Sequence, residues 1–186
     1  MLKKMRGFTL IEMLIVVAII GILAALLIPN AMSALQKAKQ KGTVKDINTI
    51  ATGLMDYVTD KGFVPDHKGE ITGSGDEIVK DLAGFYMKVV PTNDQWAHPF
   101  IVDTRTAITT NFISSLPDTY TPGNDDFVVG SFGRDGAVGP SKKYDYQDPS
   151  ASLYDVNSMK DFNNDIANWN GSLVVGPRTA TSTTGT

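Results

Sequence analysis

The stretch Phe8 to Ile28, FTLIEMLIVVAIIGILAALLI, constrains this chain more than any other. It holds 21 residues and a single charge, Glu12. As an α-helix rising 1.5 Å per residue it spans about 30 Å, the thickness of a bilayer's hydrocarbon core. Lys3, Lys4, Arg6 and then Gly7 precede it. Basic residues on the short N-terminal side predict that this end stays cytoplasmic and that the remainder lies beyond the inner membrane. A cleaved secretory signal or a plain anchor would be simpler. The apolar region of a signal usually runs about 7–15 residues and ends in an A-x-A-like site. Here the run is longer, and Ala31-Met32-Ser33 is a weak A-x-S site. Neither alternative accounts for a carboxylate in the first part of the run, where a charge costs free energy and usually marks function.

Gly7-Phe8-Thr9-Leu10-Ile11-Glu12, followed by a long apolar helix, resembles the class III leader of type IV pilins and pseudopilins. The resemblance covers residues 3–35. It implies cleavage by a prepilin peptidase after Gly7, N-methylation of Phe8, and pairing of Glu12 with the free amine of a neighbouring subunit during assembly. The physics is compatible with that role. Cleavage leaves an ammonium at the membrane edge, one helical turn from Glu12. Within a chain the two groups can approach by helix geometry alone. Between chains, an incoming ammonium neutralises a carboxylate in low dielectric and fixes axial register.

Size and charge narrow the rest. The 186 residues suffice for one domain plus an anchor. The formal charge is −3, and loss of Lys3, Lys4 and Arg6 with the leader makes the mature side chains more acidic. General nucleic-acid binding needs a clustered basic face, so it is not expected. The chain has no cysteine, which excludes disulfides, thiol catalysis and cysteine zinc sites. His67 and His98 show no metal-ligand spacing. No nucleophile motif or phosphate loop is present, so the chain is not expected to be an enzyme.

Beyond Ile28 the helix is expected to continue to about Thr59, giving a rod of about 78 Å, with Pro29 kinking it or opening it locally. Ile28, Met32, Leu35, Val44, Ile47, Ala51, Leu54 and Val58 recur at helical spacing and predict one packed stripe. Lys37, Lys39, Lys41, Lys45 and Asp46 predict a solvated face, and Gly42 and Gly53 loosen the rod. Gly62 and Pro65 should end it. A short helix is expected over Asp76–Met87, capped by Asp76, with Ile78, Val79, Leu82 and Phe85 inward. Strands are expected at 100–102, 106–113, 127–132 and 172–175, with loops over 114–124 and 133–171 and a mobile tail from 178. The expected segments are a leader (1–7), a transmembrane half-helix (8–28), an amphipathic half-helix (29–60), a periplasmic globular domain (61–177) and a disordered tail (178–186). The fold class is α+β and pilin-like: a long N-terminal helix packed on a small antiparallel sheet.

Two further strings narrow the resemblance. Asp94-Gln95-Trp96-Ala97-His98-Pro99-Phe100 resembles the D-P-W-G-x-P-Y string of type II secretion major pseudopilins, with Gln95 and Ala97 departing from Pro and Gly. Ser131-Phe132-Gly133-Arg134-Asp135-Gly136 resembles their S-x-G-x-D-G. In those proteins the D-G loop and a following D-D-I bind calcium. The counterpart here is Asn164-Asp165-Ile166, with Asn for the first Asp and an apparent insertion over 141–162. The resemblance therefore implies a calcium site at Asp135, Asn164 and Asp165, with a carbonyl near Phe132. Asp145, Asp148, Asp155 and Asp161 are spare carboxylates. The plainer alternative is that these Asp and Asn residues make turns.

The function implied is that of a structural subunit. It would polymerise into a periplasmic type II secretion pseudopilus with minor pseudopilins and an inner-membrane assembly platform. Two alternatives stand beside it. One is a type IV pilus subunit for adhesion, motility or DNA uptake. The other is a monomeric, membrane-anchored binding module using the loop over 141–171.

Overall fold

The computed structural model describes residues 8–108, 112–115, 120–139, 143–145 and 148–178. The leader, including the expected cleavage residue Gly7, and the tail from 179 lie outside the described residues. One helix, α1 (Leu10–Lys61), runs through two compact units, Met1–Lys37 and Ala38–Thr186. From Leu10 (83%) to Leu26 (68%) its side chains are apolar apart from Glu12 and exposed, with Ala24 half-buried. Nothing in the apolar stretch is buried, so this segment satisfies only its own backbone and leaves its apolar surface for another medium. Pro29 lies inside α1 without interrupting it. Proline has no N–H to donate to the carbonyl one turn back, and beside that gap the Asn30 Nδ2 donates to Leu26 O at 3.4 Å.

In the second unit α1 has a sided character. Gln40, Thr43, Ile47, Ile50, Ala51 and Leu54 are buried, spaced as one helical stripe. Val44, Tyr57 and Val58 pack at its margins. The stripe starts at Gln40. Ile28, Met32 and Leu35, which the sequence placed on the same face, are all more than half exposed. The Gly62 N–H donates to Val58 O at 2.7 Å, and φ of +79° at Gly62 turns the chain away.

Among the described residues seven strands follow: β1 (Ile101–Thr104), β2 (Ile113–Ser115), β3 (Phe127–Ser131), β4 (Tyr144–Asp145), β5 (Leu153–Tyr154), β6 (Ile166–Trp169) and β7 (Ser172–Pro177). The main sheet runs β1-β3-β6-β7-β5 and is antiparallel except for the β5–β7 pair; β2 and β4 form a small parallel pair. Phe100, Val102, Phe127, Val129 and Ile166 join the α1 stripe in one core, together with Ile78, Val79 and Leu82 of α2 (Glu77–Leu82). The alternate residues Ile101, Val128, Ala167, Trp169 and Val175 form a second core with Phe112 and Ile113. The sheet is thus covered on both faces, and the fold is α+β and pilin-like.

Several expectations need correction. Phe85 does not point inward: α2 ends at Leu82, φ of +92° at Gly84 redirects the chain, and Phe85 is 82% exposed. The β-branched run 106–113 is not one strand, because its start belongs to the 3-10 turn Arg105–Ala107; residues 109–111 lie outside the described residues, and Ile113 begins β2. The span 133–171, read as loop, contains β6 in the middle of the sheet as well as β4 and β5. β6 is buried at all four positions, so it lacks the alternation that marks a one-faced strand.

Candidate assembly and cation sites

At the helix start the four residues Thr9-Leu10-Ile11-Glu12 form a reciprocal cap. The Glu12 Oε2 accepts from the Thr9 backbone N–H at 2.8 Å and from the Thr9 hydroxyl at 2.7 Å. The Glu12 N–H donates to Thr9 Oγ1 at 3.3 Å. This is a capping box, which satisfies donors that a helix start leaves without partners. The sequence offered an amine as the partner of Glu12; the structure also gives it partners within its own turn. The T-x-x-E spacing before an apolar run was the available signal. Cleavage after Gly7 would remove neither Thr9 nor Glu12. The cap holds the carboxylate against the first residues of the helix.

The two sequence strings of the second unit meet. The buried Asp94 accepts through Oδ1 from the N–H groups of Trp96 (2.8 Å) and His98 (2.9 Å). Its Oδ2 accepts from the Ser131 hydroxyl at 2.7 Å, and Ser131 Oγ in turn accepts from the Gly133 N–H at 3.1 Å. His98 Nδ1 lies 3.0 Å from Gly133 O. One carboxylate thus ties the 94–100 turn to the start of the 133–136 loop. Ala97 carries φ of +71° in that turn, a conformation that suits the Gly of the resembled string. Gln95 uses the N–H that a Pro would lack, donating to Thr43 Oγ1 at 3.3 Å, while its Nε2 donates to Asp46 Oδ2 at 2.8 Å.

The clamp sets the loop across residues 162–165. A Cβ on Gly133, whose φ is +70°, would stand 2.7 Å from Asn164 O and 2.9 Å from Phe162 O. The close crossing therefore requires glycine there. Beyond it Asp165 is 1% exposed, and among the described residues its two oxygens take long contacts from the Gly139 N–H, at 3.4 and 3.3 Å. Burial, with the charge of Asp135 adding to it, pushes the Asp165 carboxyl up to about 7, against the lowering effects of Gly139 and Lys143. Asp135 is near enough for its charge to act on Asp165, and the Asn164 carbonyl lies at the Gly133 crossing, where the Tyr154 hydroxyl donates to it at 3.4 Å. Asp161 instead accepts from the N–H groups of Asn157 (2.9 Å) and Ser158 (2.6 Å), a local turn. Among the described residues no three His, Cys, Asp or Glu side chains gather to hold a metal alone. Asp165 is nonetheless a buried acid on which the charge of Asp135 acts, with Lys143 as the opposing positive charge. Carboxylate and backbone carbonyl oxygens are donors of the kind a hard cation takes.

A long helix with an exposed apolar first part, a capped glutamate in its first turn and a small sheet define a pilin-like subunit. The model of the prokaryotic N-terminal methylation motif matches residues 2–28. The type II secretion system core protein G of Aeromonas hydrophila is 32% identical over 104 residues, covering 53% of this chain and 72% of that protein. The protein of the same name from Dickeya chrysanthemi is 28% identical over 168 residues, covering 90% and 88%. The type IV major pilin protein PilA of Myxococcus xanthus is 42% identical over 66 residues, covering 36% of this chain and 30% of that protein. No solved structure gives a significant match. The chain belongs to the type II secretion system core protein G family and is a structural subunit, not an enzyme.

Proposed function

We propose that this chain is the major pseudopilin of a type II secretion machine. The prepilin peptidase cuts after Gly7, Phe8 is methylated, and the subunit is held in the inner membrane by 8–28 with its second unit in the periplasm. An assembly platform then draws subunits into a filament that also contains minor pseudopilins and supports export across the outer membrane. The observation that carries this reading is the first part of α1, apolar all round and exposed, with one carboxylate fixed in its first turn. Such a surface suits lipid before assembly and identical helices after it. The incoming ammonium of a neighbour meets Glu12 while the cap holds its carboxylate in position. The similarity to PilA extends over a third of this chain, whereas that to core protein G reaches nine-tenths, which favours secretion over a surface pilus.

The test is co-production of Glu12→Ala with wild type. The expected result is normal cleavage and no entry of the variant into filaments; normal incorporation overturns the assembly role. We propose further that calcium binds at Asp135 and Asp165 with oxygens of Asn164 and the Phe132 region. Bound there, it would neutralise the buried Asp165 carboxylate and tie the 133–139 loop to 162–165. A chelator should lower the melting temperature and calcium restore it; no change with saturating chelator would remove the calcium reading.

A further inference from the structure

The outer face of α1 in the second unit carries charge of opposite sign at its two ends. Lys41 and Lys45, both exposed, edge a shallow depression with Asn48 and Thr52. Further along, Asp56 and Asp60 are exposed and edge another depression with Phe85 and Tyr86. The rings of Phe85 and Tyr86 lie edge to face at 4.8 Å, and Phe85 is 82% exposed although it is large and apolar. Tyr86 also packs on Tyr57 and shares a hydrogen bond with Asp60, and two carboxylates beside the exposed Phe85 make an acceptor for an ammonium group. Among the described residues the ion pairs involve His67 and His98, and none of these four helix charges is in one.

The spacing is matched. Lys41 and Lys45 stand one helical turn apart, as do Asp56 and Asp60. Each aspartate lies the same fifteen positions beyond its lysine. We infer that in the filament the Lys41–Lys45 edge of one copy docks on the Asp56–Asp60–Phe85–Tyr86 depression of a second copy, its helix parallel and displaced axially by about 22 Å. This rests on the filament reading above and adds the contact that sets stagger in the soluble layer. The two patches are different surfaces of the same chain, so the contact is head-to-tail. Repeated with a rotation that does not close, it generates a filament rather than a dimer. Exposed pairs are individually weak, so they act on register, repeated at every subunit.

The test uses the full chain produced with its secretion machine. Lys41→Glu with Lys45→Glu, and separately Asp56→Lys with Asp60→Lys, are each expected to cut filament yield at least tenfold. All four together should restore it to within about threefold of wild type. A second measurement keeps the charges largely intact. The chain has no cysteine, so Lys45→Cys with Asp60→Cys is expected to give an oxidant-dependent ladder of cross-linked multimers, absent from either single variant. Wild-type yield in the one-sided reversals, failure of the fourfold variant to improve on them, or no ladder from intact filaments overturns the contact and leaves the filament reading standing. Absence of filaments from the processed wild-type chain overturns both.

Discussion

Replacing Asp165 with asparagine removes a buried charge while keeping nearly the same shape, and its effect can be worked from the structure. The folded chain raises this carboxyl from 3.8 to about 7, chiefly through burial. The folded state therefore holds a proton that the unfolded state releases as pH climbs from about 4 to 7. Stability contributed by the neutral acid is present below the lower value, is lost through that window, and is gone above 7. At about 1.36 kcal/mol per pH unit the penalty in calcium-free wild type above pH 7 reaches about 4 kcal/mol. Asp165→Asn escapes it. The assay is urea unfolding of residues 38–186, the second compact unit, in chelator from pH 4 to 9. The variant should match wild type near pH 4 and exceed it by up to about 4 kcal/mol at pH 8, or roughly 8–16 °C in Tm for a domain of this size. Calcium should raise wild type at pH 8 and leave the variant unmoved. A wild-type stability that is flat from pH 4 to 8, with no gain in the variant, would refute the reasoning.

Other outcomes follow from single contacts. Ala97→Gly relieves a left-handed alanine and is expected to stabilise the second unit by about 0.5–1 kcal/mol in urea unfolding. Ser131→Ala leaves one oxygen of the buried Asp94 without its hydroxyl donor and should cost about 1–3 kcal/mol by the same measurement. Gly133→Ala forces a Cβ against two backbone carbonyls at positive φ. It should lower Tm and abolish the stabilisation by calcium.

What the sequence made legible differs by element for physical reasons. The helix announced itself because its apolar run, its later stripe and its Gly62 terminator are all local signals. β3 and β7 were readable as runs of β-branched residues, and Asp76 as a cap is used as expected, accepting from Ile78 N–H at 3.3 Å. β6 was not readable: Ile166-Ala167-Asn168-Trp169 is short, mixed in polarity and buried on both faces. Phe85 misled because helical spacing was extended past the point where Gly84 turns the chain. At the site, the residues of each string were visible but their union was not. That Asp94 binds Ser131, thirty-seven positions away, is a tertiary fact. The Thr9–Glu12 cap, by contrast, was written locally.

The most direct measurement of the central claim is the intact mass of the subunit recovered from functioning filaments. The account predicts the mass of residues 8–186 plus one methyl group on the Phe8 nitrogen. A subunit that assembles and supports secretion while still carrying residues 1–7 would contradict it.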